Sequence, residues 1–286
     1  MKIALITFLA FFSSTIAFAQ KPDELLARVR YTYINSNDTL KTGKVRNENM
    51  LLFLGKNASL YTSYDKLRHE IAEDQKFRAK AMSKAGSGQP VAIVMDNSGS
   101  EWMSTSSYLY FAKENKLFTK EVIALQSYLI EEQAPKINWK ITRDTTSFSG
   151  LSCKKAVANF EGKNWIAWYA PSLPFQSGPW KLSGLPGLII DAYEENKLIQ
   201  FQFAGIENAK EGDHQRVDDV TKRADARPGD YNALDQLIGR DVGSAFFENI
   251  IKLPVGAVKT DREKFDKLKA AFLKDPRGFV RARSGY

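Results

Sequence analysis

Apolar and polar side chains alternate through most of the first two hundred residues. Val29, Tyr31 and Tyr33 are spaced by Arg30 and Thr32, a period of two that predicts a half-buried strand. The polar run 35–38 after them predicts a turn. Apolar runs at 50–54 and 58–64 flank Gly55, Lys56 and Asn57 and predict two strands around a turn. Further strands are predicted at 91–95, 108–112, 116–120 and 128–132. The alternation sharpens at 137–141 and at 153–160, where Cys153, Lys155, Val157 and Asn159 oppose Lys154, Ala156, Ala158 and Phe160. Glu161 and Gly162, ahead of a strand at 165–169, mark a hairpin. Residues 185–193 and 198–206 form a second pair around the turn 194–197. Short strands at regular spacing predict an antiparallel sheet, not βαβ units.

The period changes in two places. Residues 66–84 are charged and rich in helix formers with weak apolar spacing, which fits an exposed helix or an inserted loop. After residue 209 the chain is polar to about 230, and 232–251 then reads as helical. Thr260 and Glu263 stand as a capping box before a helix to 274, with Phe265, Leu268 and Phe272 on one face. The expected class is mainly β (α+β), a curved antiparallel sheet with covering helices. The expected divisions are 20–208 for the sheet, 209–230 for a linker and 231–286 for a helical C-terminal extension.

The start of the chain reads differently. Lys2 precedes an apolar run at 3–12, a polar step at 13–15, and Ala17-Phe18-Ala19. These are the parts of a secretory signal peptide, with the mature chain beginning near Gln20. The run is too short to span a bilayer, and no later stretch is long and apolar enough to do so. The product is expected in the periplasm or outside the cell, not spanning a membrane.

Composition narrows the chemistry. One Cys among 286 residues excludes an internal disulfide framework and a multi-cysteine metal cage. His69 and His214 stand 145 positions apart, so no histidine-rich metal site is expected, and no cofactor. There is no nucleophile elbow, no zinc-protease motif and no phosphate loop. Glu131 with Glu132, and Glu194 with Glu195, are adjacent pairs that a strand would send to opposite faces. The net charge of +8 is not gathered into a stripe with aromatics, so nucleic acid is not an expected partner. Cys153 could be a nucleophile with Lys154 and Lys155 as its only activating neighbours, but a buried strand thiol is the favoured reading.

The distinctive region is aromatic and apolar. Trp139, Trp165, Trp168 and Trp180 are four of the five tryptophans. Trp165 and Trp168 are three apart on one strand and must face opposite sides. Gly178, Pro179, Gly184, Pro186 and Gly187 punctuate a stretch that ends in Leu188, Ile189 and Ile190. Gly184 and Gly187 permit unusual φ or close approach, and Pro186 cannot sit mid-ladder. The stretch reads as a constrained crossover feeding a strand. Two roles fit it, a packing device or the rim of a binding site. Trp139, Trp165, Trp168, Tyr169, Trp180, Leu185 and Leu188 are the candidate ligand-lining residues, and filling a core is the alternative.

Gly184-Leu185-Pro186-Gly187-Leu188-Ile189 resembles the signature of the GLPGLI family, exported proteins of Bacteroidota whose function is not established. Trp139, the run Gly150 to Ala156, Phe160-Glu161-Gly162-Lys163, Trp165 to Tyr169, Pro174, and Gly178-Pro179 are similar to the family's order of elements. Lys163 and Leu182 stand where Arg and Phe are common, and the tail after Ala209 is longer than in the family. A second, fold-level resemblance is to periplasmic lipoprotein-carrier (LolA-like) half-barrels. It rests on the aromatic strand, the Gly-Leu-Pro step and the two strands that follow. This resemblance implies a curved sheet, covered by helices, around an apolar cavity.

Three readings follow. The first is a non-enzymatic envelope protein that binds an apolar or amphipathic ligand. The second is an accessory partner of an outer-membrane transporter of the TonB-dependent type, accepting a strand at a sheet edge. The third is an enzyme using Cys153 or scattered carboxylates.

Overall fold

The computed structural model describes residues 21–39, 45–83, 106–124, 126–209, 244–254 and 256–284. The signal segment, the expected strand at 91–95, the expected linker beyond its first residue and the first part of the expected helix at 232–251 lie outside these residues.

Two meanders make one sheet. The first is β1 (Asp23–Thr39), β2 (Val45–Gly55), β3 (Ala58–Ser63), β4 (Ser107–Phe111), β5 (Lys116–Ile123) and β6 (Gln126–Gln133). The second is β7 (Lys140–Phe148), β8 (Leu151–Phe160), β9 (Lys163–Ala170), β10 (Leu188–Glu194) and β11 (Ile199–Asn208). Antiparallel pairing of β1 with β11 joins them, giving the order β6-β5-β4-β3-β2-β1-β11-β10-β9-β8-β7. Two short strands complete it: β12 (Ile250–Ile251) pairs with the start of β1, and β13 (Val258–Thr260) runs parallel to β6. The fold is mainly β, a large curved and unclosed sheet dominated by antiparallel pairs, with covering helices.

The connectivity forces the curvature. β6 and β7 lie ten places apart in the strand order, about 48 Å in a flat sheet at the usual strand spacing. Residues 134–139 alone connect them, a reach of roughly 24 Å. The sheet must curl to let the chain pass from one side to the other.

Each face has its own core. Val29, Tyr31, Met50, Leu52, Trp165, Ala167, Tyr169, Ala192 and Phe201 are buried together on the inner side. Leu51, Phe53, Leu60, Leu109 and Phe118 are buried on the outer side. There Leu67 of α1 (Tyr64–Ser83) and Ala245 of a π-helical turn (Ser244–Glu248) cover them. The Ser63 hydroxyl accepts from the Lys66 N–H at 3.0 Å and starts α1, so the charged stretch is a helix. α2 (Arg262–Lys274) and α3 (Pro276–Ser284) lie over β6. Phe265 meets Tyr128 edge-on at 5.5 Å, with Leu268, Phe272 and Phe279 packed around them. No helix among the described residues is long and apolar enough to cross a membrane.

Three local expectations change. β1 runs on past 35–38 instead of ending there, with a bulge: both ladders stop at Asn35, pairing with β2 resumes at Thr39, Asn37 N–H donates to the Asn35 side-chain oxygen at 3.1 Å, and Ser36 N–H donates to Leu198 O at 2.8 Å. Ile250 and Ile251 form a strand and not a helix, because the start of β1 has a free edge for them. The cap of α2 is Asp261, one residue past Thr260: its carboxylate accepts from Lys264 N–H at 2.8 Å.

Candidate functional site

Residues 171–187 link β9 to β10 and cross the inner face. Their backbone is tied to the start of β10, with Leu188 N–H donating to Leu173 O and Ile189 N–H to Ser177 O, both at 3.0 Å. Pro179 is buried and its carbonyl accepts from Leu182 N–H at 3.0 Å. Around Pro186, Gly187 N–H donates to Leu185 O at 2.8 Å. A Cβ on Gly178 would stand 2.8 Å from Ile189 Cβ and from Leu182 O. Gly184, at φ +89°, is exposed with open space around it. The Trp139 indole N–H donates to Ser183 O at 2.8 Å and holds the segment from behind.

Trp180 is the tip of the crossover. Its φ of +57° is left-handed, a conformation that costs a bulky L-residue roughly 1–2 kcal/mol. The ring lies 5.7 Å from Trp165 and 5.7 Å from Phe160. Its indole N–H faces the Tyr108 hydroxyl and works against the rise that burial gives that group's pKa. Trp165 is on β9 and Tyr108 on β4, six places apart in the sheet. One side chain touches both, which identifies this as the concave face.

The contact closes a ring of aromatics. Trp180 meets Trp165; Trp165 stacks on Phe201 at 6.0 Å; Phe201 meets Tyr61 edge-on at 6.2 Å; Tyr61 lies 6.5 Å from Tyr108, which returns to Trp180. Tyr33 stacks on Phe201 at 5.3 Å and extends the wall outward. Tyr31 underlies it, its hydroxyl donating to Ile189 O at 2.6 Å. The Tyr61 hydroxyl is buried in this ring and makes no hydrogen bond to a described residue. Burial pushes its pKa well up, and the Tyr31 and Glu48 charges add to the effect. Trp180, Tyr108, Tyr33 and Phe160 are only half-buried and form the solvent side of the ring.

A charged rim stands beside it. Arg262 of α2 reaches Glu132 at 3.1 Å and Glu121 at 3.3 Å, and Lys269 reaches Glu121 at 2.7 Å. Burial alone would raise the Glu132 pKa, but hydrogen bonds from Arg262 and Thr119, with the charges of Arg262 and Lys181, bring it below its ordinary value. Lys181 also pairs with Glu161 at 3.1 Å.

The sequence candidates fall in different places. Trp165 and Trp180 belong to the ring. Tyr169, Leu185 and Leu188 are buried in the core next to it, and Trp139 backs the crossover. Trp168 is on the other face, against Phe148 at 6.3 Å and beneath Lys155. Tyr31, Tyr33, Tyr61, Tyr108 and Phe201 were not candidates. The alternation marked Tyr31 and Tyr33 as one face, but nothing local shows that β1, β3, β4 and β11 converge. Cys153 is fully buried, and burial pushes its thiol pKa up, which leaves it a weak nucleophile.

Asp191, paired with Trp168 in the ladder, is unusual. Burial raises its pKa to about 6, against a hydrogen bond from the Phe203 backbone N–H and the charge of Lys197. A carboxyl raised in the folded state stabilises the fold when protonated, and that contribution is lost as pH rises through about 6. Asp191→Asn is therefore expected to stabilise the protein at pH 7.5 by roughly 1–2 kcal/mol after allowance for solvent screening. It should change little at pH 4. Urea unfolding at the two pH values checks this; an equal effect at both refutes it.

No family model matches the chain, and no curated protein matches it. Among solved structures, PNGF-II in a C2 crystal form is similar with a TM-score of 0.49 and 13% identity, over 85% of this chain and 32% of that one. PNGF-II in a P21 form gives 0.44 and 14%, over 65% and 29%. The chain spans about a third of the length of PNGF-II, and a likeness of this degree assigns it neither a family nor an activity.

Proposed function

We propose that this chain is an exported, non-enzymatic envelope protein, similar to the GLPGLI proteins, that binds an amphipathic ligand on the concave face of its sheet. The apolar part of the ligand lies against the aromatic ring. Its polar end meets the rim of Lys181, Arg262 and Glu132. One observation carries the reading: a buried, unsatisfied Tyr61 hydroxyl sits inside a ring whose outer members, Trp180 and Tyr108, are half open to solvent. A buried hydroxyl without a partner is costly, and a ligand's polar atom would satisfy it. The strained φ of Trp180 supports the same reading, since strain persists where the surroundings enforce a particular placement.

The transporter-partner reading has less support. Among the described residues β7 and the three-residue β13 end the strand order; β7, the long one, carries Lys140, Arg143 and Asp144, charges of the kind that guard an edge against pairing.

The test is mass spectrometry of organic extracts from protein purified from its own envelope. An amphiphile is expected at near-equal molar amount, with Trp180→Ala lowering its retention about tenfold while the fold is kept. Ligand-free extracts, together with failure to bind an added detergent-like fluorophore, would overturn the reading.

A further inference from the structure

We propose that the corner between α2 and α3 docks on an anionic lipid surface. Residues 262–284 hold eight Lys and Arg against three Asp and Glu, a net +5 in a chain whose total is +8. Part of that charge is used inside the fold. Arg262 and Lys269 pair with Glu121 and Glu132 on the sheet, and Lys264 and Lys267 pair with Asp261 and Glu263. Lys274, Arg277 and Arg281 are exposed and form no ion pair with a described residue. Asp275 lies between them in the sequence, and its carboxylate accepts from Gly278 N–H at 2.9 Å.

Apolar side chains stand out from the same corner. Leu273, at 69% exposed, is the most exposed large hydrophobic among the described residues, and Val280 is 45% exposed. Arg277, Val280 and Arg281 share one face of α3 by their i, i+3, i+4 spacing. Leu273 and Lys274 are neighbours in the last turn of α2. The Phe272–Phe279 contact at 5.5 Å fixes the two helices to each other, so the exposed cations and apolar groups form one surface.

Cations alone would fit any polyanion. The protruding Leu273 and Val280 select the lipid surface. Apolar groups flanked by Lys and Arg sink to the headgroup–acyl boundary while the long basic stems keep their charges among the headgroups. A nucleic acid offers these two side chains nothing comparable, and an acidic protein is the occupant that failure to bind the mixed vesicles would point to. The inference is independent of the ligand reading, since no member of the aromatic ring takes part.

The experiment is co-sedimentation of the full mature chain with vesicles of phosphatidylcholine alone or mixed with phosphatidylglycerol. Binding to the mixed vesicles only is expected, weakening as salt is added. Each basic side chain near such a surface strengthens binding about fivefold. Arg277→Gln with Arg281→Gln should therefore weaken it about twenty-five-fold. Leu273→Ser with Val280→Ser, charges intact, should weaken it at least about fivefold. All four residues are exposed, and an unchanged thermal unfolding curve confirms the fold of each variant. No binding to the mixed vesicles overturns the proposal. So does full binding by the Leu273→Ser/Val280→Ser variant, which would make the corner a site for a soluble polyanion; duplex DNA displacing both proteins equally would identify that case.

Discussion

Gly187→Ala is expected to destabilise the protein by about 4 kcal/mol, a large share of the stability of an ordinary domain. Two costs combine. The backbone of Gly187 has φ +155°, a region that side-chain-bearing residues avoid at a cost of roughly 1–3 kcal/mol. The added Cβ would also stand 2.3 Å from Ala170 O and 2.9 Å from Pro171 Cα. Both are backbone of the strand end from which the crossover departs, so neither can swing aside, and overpacking of this kind costs roughly 1–3 kcal/mol more. Gly184→Ala is the matched control. Its φ of +89° is also left-handed, but a Cβ there meets nothing within 4 Å, so about 1 kcal/mol is expected. Urea midpoints of the two variants, measured side by side, should differ several-fold in their displacement from the parent. Equal displacements would show that φ alone matters and that the close approach to Ala170 does not.

Trp165→Ala should cost about the same, roughly 3–5 kcal/mol. The side chain is 1% exposed. It stacks on Phe201 with an interplanar angle of 19°, touches Trp180, and its indole N–H donates to Phe160 O at 3.2 Å. Removing it opens a cavity at the centre of the aromatic ring and frees the tip of the crossover. Trp168→Ala, three residues away, removes a half-buried ring on the outer face and is expected to cost about 1 kcal/mol. Chemical denaturation followed by circular dichroism, which does not depend on the deleted fluorophore, measures both. A larger loss at Trp168 than at Trp165 would contradict the assignment of the two faces.

These two variants separate what holds the crossover from what the crossover presents. Gly187 and Trp165 act on the fold. Trp180, with its left-handed backbone and half-buried ring, is the residue through which the proposed ligand reading is tested. The ion-pair rim joins the two. Arg262 ties α2 to Glu121 and Glu132 at the side of the ring where Tyr108 stands, and Tyr108 feels the charges of both Glu121 and Arg262.

The sequence by itself determined the strands and their faces. Period-two alternation is a local property, so Val29 to Tyr33, Cys153 to Phe160 and the hairpin at Glu161–Gly162, both at positive φ, could be read without partners. So could the opposite orientation of Trp165 and Trp168, and the apolar face of α2 at Phe265, Leu268 and Phe272. Glycine and proline marked the crossover because their backbone chemistry is intrinsic. What the tertiary structure decided is every feature set by pairing between distant strands. The chain expected to turn at 35–38 only bulges there, because pairing with β2 resumes at Thr39. Ile250 and Ile251 took strand form because an edge was open to them. The aromatic ring joins β3, β4, β9 and β11 with the crossover, and its members meet because residues 134–139 are too short to let the sheet lie flat. Curvature is a property of the whole sheet, so no window of sequence contains it. Tyr61, the residue that carries the functional reading, therefore looks in the sequence like any other strand tyrosine.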